Sequence, residues 1–351
     1  MLAGTNGEHS RQAFEKANLL QELTGVFMDI EVYPNSDETD PEAYMKTLDS
    51  IEHPACAIVA VPDHLHYQIT RSCLEAGLHT LVVKPLTPTV EEAKKLIELA
   101  ESKELYGAVE FHKRWDKQNL MLRDALRNGR LGEPLYCWVE YSQRKNIPEK
   151  IFRAWIEHTN TLQYLGVHYM DIVRFATGAE PVRVMAVGQK RWLITKGLDV
   201  YDSIQCMVDW KMKDGHIFNQ TLLVNWIDPE TTSAMSDQKI KYVGTEGHFE
   251  SDQKDRGVKI LSDGKNSEIP NPDFCRPYGT EKGKMIWRGY GIESITSFLD
   301  DVKSIYAGNS APSDLEGFRP TFKEALISTT ILEAASASLA NDGSWYSVRA
   351  H

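Results

Sequence analysis

A lysine stands where an apolar run stops: HTLVVK, residues 79–84, is followed at once by Pro85. A strand ending there delivers the Lys84 ammonium to the carboxyl edge of a sheet. In that place it can bond a substrate oxygen and stabilise negative charge developing on it. Partial burial lowers a lysine's pKa and suits it to proton transfer. A strand-end lysine that simply reaches solvent has the same pattern. Further on, Tyr164 and His168 are four residues apart and share one face of a helix, where either could donate a proton to a substrate carbonyl oxygen while Lys84 stabilises its charge. Asp171 follows three residues later, able to orient the imidazole. Gly166 between them costs a helix about 1 kcal/mol against alanine, a cost explained if a backbone or ligand approaches closely. A purely structural histidine is the alternative.

Other chemistry-bearing residues fall at strand ends. Gly4-Thr5-Asn6-Gly7 lies between a short strand and a helix, where a doubly wound fold sets a pyrophosphate on backbone N–H groups. It is not a GxGxxG, since Asn6 stands where the second glycine is expected, and any tight turn shares the pattern. Val61-Pro62 ends an apolar run, and His64 and His66 open the next helix. Two histidines lack a third metal ligand, so no metal site is expected; a contact of His66 with cofactor or substrate is. Asn35 and Ser36 are the candidate ribose loop. No Lys or Arg occurs over 29–44, while Asp37, Glu38 and Asp40 are acidic, which leans to NAD over NADP. Glu110 ends a fifth strand at the expected cofactor edge, and the two cations Lys113 and Arg114 with the His112 imidazole beside it make an anion-friendly patch.

The elements that must position these groups follow from periodicity. Over 1–115, strands at 1–3, 28–33, 55–61, 79–84 and 105–111 alternate with helices at 10–23, 41–51, 66–77 and 89–103. That alternation means βαβ units and a parallel sheet. Only Met1, Leu2 and Ala3 precede the glycine turn, whereas a parallel strand usually runs about five or six residues. Residues ahead of Met1, or a numbering that starts inside the strand, would account for this. After a helix at 118–132 come long alternating runs at 135–144, 182–192, 202–212, 216–227 and 239–251, the mark of a mostly antiparallel sheet. Helices are expected at 161–176, 292–307 and 321–340, and a long loop at 263–291. The fold class is thus an α/β Rossmann domain, 1–115, followed by an α+β domain, 116–351, with a large open sheet.

Composition narrows the partners. The chain has 351 residues, 42% hydrophobic and 25% charged, with a net charge of −11. An acidic surface argues against nucleic acid and anionic membranes. No run approaches the ~20 apolar residues of a membrane-spanning helix, and no signal peptide is visible. The five cysteines form no CxxC, which fits reduced thiols in the cytoplasm.

These pieces in this order resemble the glucose–fructose oxidoreductase/inositol dehydrogenase/MocA (Gfo/Idh/MocA) family. The matching segments are GTNG (4–7), VPDHLH (61–66), EAGLHTLVVKPL (75–86), EEAKKLIELAE (91–101), HKRW (112–115), LGEPLY (131–136), GVHYMD (166–171) and GTEGHFES (244–251). The resemblance implies an NAD(P)-dependent enzyme acting on sugars or polyols, with Lys84 as catalytic lysine and His168 as acid/base. It also implies a homo-oligomer formed through the open sheet, with strands at 182–227 as candidates. Val83 replaces the family's usual Glu before the KP pair, and Tyr164 an often-found Asp. A narrower similarity, to the D-galacturonate reductase branch, rests on YPNSDETDPEAY (33–44), EFHKRWD (110–116), FRAW (152–155) and YLGVHYMDI (164–172). It implies a uronate whose carboxylate meets Lys113, Arg114, Arg153 or Arg288, with Trp155 and Asp171 also near the substrate. Two other classes fit the fold: a non-catalytic nucleotide-binding regulator, and a lyase or epimerase that recycles bound NAD.

Overall fold

The computed structural model describes residues 1–35, 37–263 and 268–348. Its first part alternates β1 (Leu2–Ala3), α1 (Gly7–Thr24), β2 (Val32–Tyr33), α2 (Ala43–Ser50), β3 (Cys56–Val59), α3 (His66–Glu75), β4 (His79–Val83), α4 (Val90–Ser102) and β5 (Gly107–Glu110). β1 pairs with β2, and β3, β4 and β5 form a second sheet; every pairing is parallel. The strand expected over 28–33 shortens to Val32–Tyr33, because β1 offers only Leu2 and Ala3 as partners. β4 shows why its run is continuously apolar. Leu81 packs with Tyr106, Phe298 and Val302 on one face, while Val82 belongs to the main core with Leu74 and Leu96 on the other. A sheet covered on both sides needs hydrophobic residues at both parities.

The second part holds α5 (Lys117–Arg127), β6 (Pro134–Arg144), α6 (Val167–Thr177), β7 (Glu180–Gln189), β8 (Ser203–Lys211), β9 (Ile217–Asp228), β10 (Ser236–Gly244), β11 (His248–Asp252), β12 (Arg276–Gly279), β13 (Met285–Arg288), α7 (Tyr290–Tyr306), α8 (Phe322–Leu339) and β14 (Tyr346–Ser347). The large sheet runs β11-β10-β6-β9-β8-β7-β14. β6 and β9 are parallel and the other pairs antiparallel. Period-two burial is clear in β9, where Phe218, Gln220, Leu222, Val224 and Trp226 face inward. Two expectations change. The helix over 118–132 ends at Arg127, where Gly129 and Gly132 take φ of +69° and +67°. The loop over 263–291 contains the hairpin β12–β13.

Helix α8 has little amphipathic character because it is covered on several sides, by β7, α4, α6 and β5. It thereby joins the large sheet to the parallel one, and the Val109 N–H donates to the Pro320 carbonyl at 2.8 Å beside its start. Gly107 marks the tightest point: a Cβ there would overlap the buried Phe322 ring. Gly107→Ala is therefore expected to destabilise the protein by about 1–3 kcal/mol through overpacking, read as a lower urea midpoint at unchanged m-value. Among the described residues, no helix is long and apolar enough to cross a membrane.

Candidate functional site

The chain leaves β4 at Val83, and Lys84 enters a cleft of about 570 Å³ between the parallel sheet and the large one. The ammonium donates to the Tyr164 carbonyl at 2.6 Å and lies 3.4 Å from the centre of the Tyr164 ring. Burial lowers its pKa to about 8, partly opposed by Asp63 and Glu110. Tyr164 belongs to a π-helical turn, Leu162–Gly166, that runs directly into α6. Such turns recur at functional sites. The Tyr164 hydroxyl is pushed up to about 12, mainly by burial. Gly166 is needed here because a Cβ would meet Leu162 Cδ1 at 2.6 Å, so the close neighbour is a side chain of the preceding turn.

His168 lines the same cleft and is buried. Its Nδ1 has no hydrogen-bond partner among the described residues. Burial holds its pKa well below the usual histidine range, and the neighbouring His112, Lys84 and Lys113 press in the same direction. It is a neutral base at pH 7. Lys113 is equally buried; its ammonium donates to the amide oxygens of Gln238 and, at 2.5 Å, of Gln253. Burial takes its pKa to about 7. The partners of both lysines are neutral, so their charge is not cancelled by direct ion pairing. Tyr141, Gln143, Asn271 and Arg276 complete much of the polar lining.

Several residues singled out from the sequence are engaged elsewhere. Asp171 does not orient His168: its carboxylate accepts from Arg114 Nη2 at 2.6 Å and from Nε at 2.9 Å, and both residues are buried away from the cleft. Arg114 and Asp171 are thus tied to each other and leave no group for a substrate. His66 does not face a ligand either. Its ring spans two strand ends, with Nδ1 at 2.7 Å from the Pro85 carbonyl and Nε2 at 2.9 Å from that of Val61. The Glu110 carboxylate is taken by His112 Nδ1, at 2.8 Å, and by the Ser294 hydroxyl, at 2.7 Å. Trp155 packs behind Tyr164, with ring centroids 6.1 Å apart. Arg288 lines a second cleft, of about 660 Å³, because the hairpin carries it to the start of α7. Arg153 reaches the Lys196 carbonyl at the surface.

At the carboxyl end of β1, Asn6 caps α1, accepting from the His9 N–H at 3.3 Å. Gly4 has no room for a Cβ, which would lie 2.8 Å from Ser10 Oγ. The acidic loop lies against the turn: the Gly7 N–H donates to the Glu38 carbonyl, and the Asp40 N–H to that of Thr5. Asn35 lies two residues beyond the end of β2; Ser36 lies outside the described residues.

Comparison with known proteins fits this geometry. Residues 7–111 match the oxidoreductase family with NAD-binding Rossmann fold, and residues 119–250 match the GFO/IDH/MocA C-terminal domain. The chain belongs to the Gfo/Idh/MocA family. The Bacillus subtilis scyllo-inositol 2-dehydrogenase (NADP(+)) IolW is 34% identical over 118 residues, 32% of this chain and 32% of its own length. The UDP-N-acetylglucosamine 3-dehydrogenase of Acidithiobacillus ferrooxidans is 29% identical over 186 residues, 52% of this chain and 55% of its own. The alignments thus span only about a third to a half of these relatives. A solved structure of an inositol dehydrogenase homolog from Azotobacter vinelandii, complexed with NADH and myo-inositol, superposes with a TM-score of 0.67. It shares 18% identity, covering 88% of this chain and 84% of that one.

A Gfo/Idh/MocA chain carries a dinucleotide on the Rossmann domain, and the residues present fit one. A capped helix start, a glycine without room for a Cβ, and the strand ends at Val61-Pro62, Lys84-Pro85 and Glu110 would provide an edge for a nucleotide. Sequence reasoning missed Tyr141, Gln143, Gln238 and Gln253. A signal existed: Gln143 and Gln238 are polar residues at inward positions of strands that otherwise bury apolar ones.

Proposed function

We propose that the protein is an NAD(P)-dependent oxidoreductase that moves a hydride between nicotinamide and a carbinol carbon of a sugar, uronate or polyol. The observation that carries this reading is the half-buried Lys84 ammonium, held at a strand end in the same cleft as His168. When bound, the dinucleotide supplies the hydride acceptor or donor. The chain's own residues handle the oxygen and its proton. In reduction Lys84 donates to the carbonyl oxygen and steadies the charge that develops there. An imidazole of the cleft, which His168 and His112 both line, gives that oxygen its proton in reduction and takes it back in oxidation. Tyr164 supports Lys84 through its carbonyl and ring; its hydroxyl, pushed up to about 12, is a poor proton donor. Residues 1–115 serve the cofactor, and 116–351 the substrate.

Because the Lys84 pKa is lowered to about 8, the ammonium is present below that pH and lost above it. The kcat/KM for carbonyl reduction is expected to fall as pH rises through about 8, and Lys84→Arg to remove that limb; a profile flat through pH 10 in the unaltered protein contradicts the role. Within the substrate class, a uronate is favoured by Lys113 and Arg276 in the cleft lining. NAD is favoured over NADP by the acidic 37–40 loop lying against the glycine turn, where a 2′-phosphate would meet carboxylates. The free thiols suit a reducing compartment, the cytoplasm. The sheet face exposing Tyr136, Val187 and Ile227 suits a second copy of the chain. A panel of uronates, aldoses and inositols with each dinucleotide, followed at the nicotinamide absorbance band, tests the whole reading. No sugar-dependent change with any pair would favour the regulator class. Stoichiometric bound cofactor without net turnover would favour the lyase or epimerase.

A further inference from the structure

Lys84 and His168 do not exhaust the acid–base groups of the cleft. His112 lies just beyond β5 and lines it too. Its Nδ1 meets the Glu110 carboxylate at 2.8 Å, and the other oxygen of that carboxylate accepts from Ser294 on α7 at 2.7 Å. The ring is held on its remaining sides by aromatic contacts, 5.8 Å to Tyr290 in a stacked arrangement and 5.5 Å to Phe274. It stands 4.7 Å from the His168 ring, edge to face. Among the described residues, no protein group takes up its Nε2.

We propose that His112, held by Glu110, is a further catalytic residue of the cleft that exchanges a proton with a substrate hydroxyl through Nε2. The contrast with His168 is the physical argument. A proton added to His168 creates a buried charge with no partner on Nδ1 and with His112, Lys84 and Lys113 around it. His112 instead has a carboxylate on its Nδ1 at 2.8 Å, a contact that orients the ring for proton transfer. The charged and titratable groups in contact with His112 are Glu110 on β5, His168 on α6 and Tyr290 on α7, and Lys84 and Lys113 line the same cleft. Of these, Glu110 is the carboxylate, and it fixes the ring through Nδ1. A carboxylate-backed imidazole also has a fixed tautomer: Nδ1–H stays on Glu110 and Nε2 presents a lone pair to the cleft.

This rests on the oxidoreductase reading. In oxidation, the O–H bond of the carbinol breaks and its proton passes to Nε2. The electron pair of the carbinol C–H bond leaves as the hydride that nicotinamide receives, and C=O forms. In reduction the same imidazolium returns the proton. His168, next to it, then binds a neighbouring hydroxyl of the polyol or relays the proton.

The test uses His112→Ala, His112→Gln and Glu110→Gln in the full chain. With the best substrate of the panel, His112→Ala is expected to lower kcat by about 10²–10⁴-fold, with NAD(H) binding by thermal shift unchanged, and added imidazole to restore part of the loss. Glu110→Gln, nearly isosteric, is expected to lower kcat by about tenfold at unchanged KM. Independently of turnover, adding substrate to protein labelled at histidine Cε1 is expected to move the NMR signal that His112→Gln removes. Folded His112 variants with near-normal kcat, a loss that imidazole does not restore, or a His112 signal indifferent to substrate overturn the proposal while leaving the oxidoreductase reading intact. A wild-type protein that turns over no sugar overturns that reading, and this proposal with it.

Discussion

Lys84→Ala is expected to lower turnover by about 10³-fold or more while leaving NAD(H) affinity within a few-fold of the unaltered protein. The ammonium is the cation placed by β4 at the cleft, and its neighbours there, the Tyr164 carbonyl and ring, cannot take over its charge. A dinucleotide bound along the strand ends would keep contacts at the glycine turn and at the Val61-Pro62 strand end, so binding and chemistry should separate. Cofactor titration by fluorescence, run beside steady-state kinetics, reads both. Near-normal turnover in this variant would remove Lys84 from the mechanism. Lys84→Met, which keeps most of the stem's packing, guards against a trivial loss through repacking.

The second large effect lies away from the cleft. Asp171→Ala is expected to destabilise the fold by about 3–5 kcal/mol, lowering the Tm by on the order of 10 °C. It leaves the buried Arg114 guanidinium facing only Glu324, at 3.8 Å, in place of the bidentate carboxylate. Replacing both partners, Arg114→Met with Asp171→Leu, should recover much of the loss, because no buried charge then remains uncompensated. Thermal unfolding of the single and double variants checks this. If the pair served substrate binding instead, Asp171→Ala would raise KM with the Tm little changed.

These two sites differ in how far they could be read from the chain. Lys84 was legible because strand, lysine and proline are contiguous, and a strand end has one place to go in a parallel sheet. His168 was legible as a helix face, although the turn before it is π-helical. Asp171 was misread for a specific reason. Helical spacing brings it within reach of His168, but spacing is silent about Arg114, 57 residues earlier, whose fork fits the carboxylate better than an imidazole does. His66 was misread similarly: a histidine opening a helix at a strand end looks exposed to ligand, yet two nearby backbone carbonyls claim both ring nitrogens. The glutamines that cradle Lys113 come from β10 and the segment after β11, and no local pattern links them to it.

The sequence by itself determined the alternation of strands and helices, the change of texture after Trp115, and the position of Lys84 at a sheet edge. All three depend on hydrophobic periodicity and on proline or glycine stops, which act over a few residues. Only the tertiary structure decided which carboxylate pairs with which cation. It seated Asp171 on Arg114, Glu110 on His112, and neutral amides on Lys113. Burial makes those choices: once water is excluded, each charge takes the best-shaped partner within a few ångströms, wherever in the chain that partner lies. Lys84, readable as a residue, thus became a site through neighbours that the sequence does not place beside it.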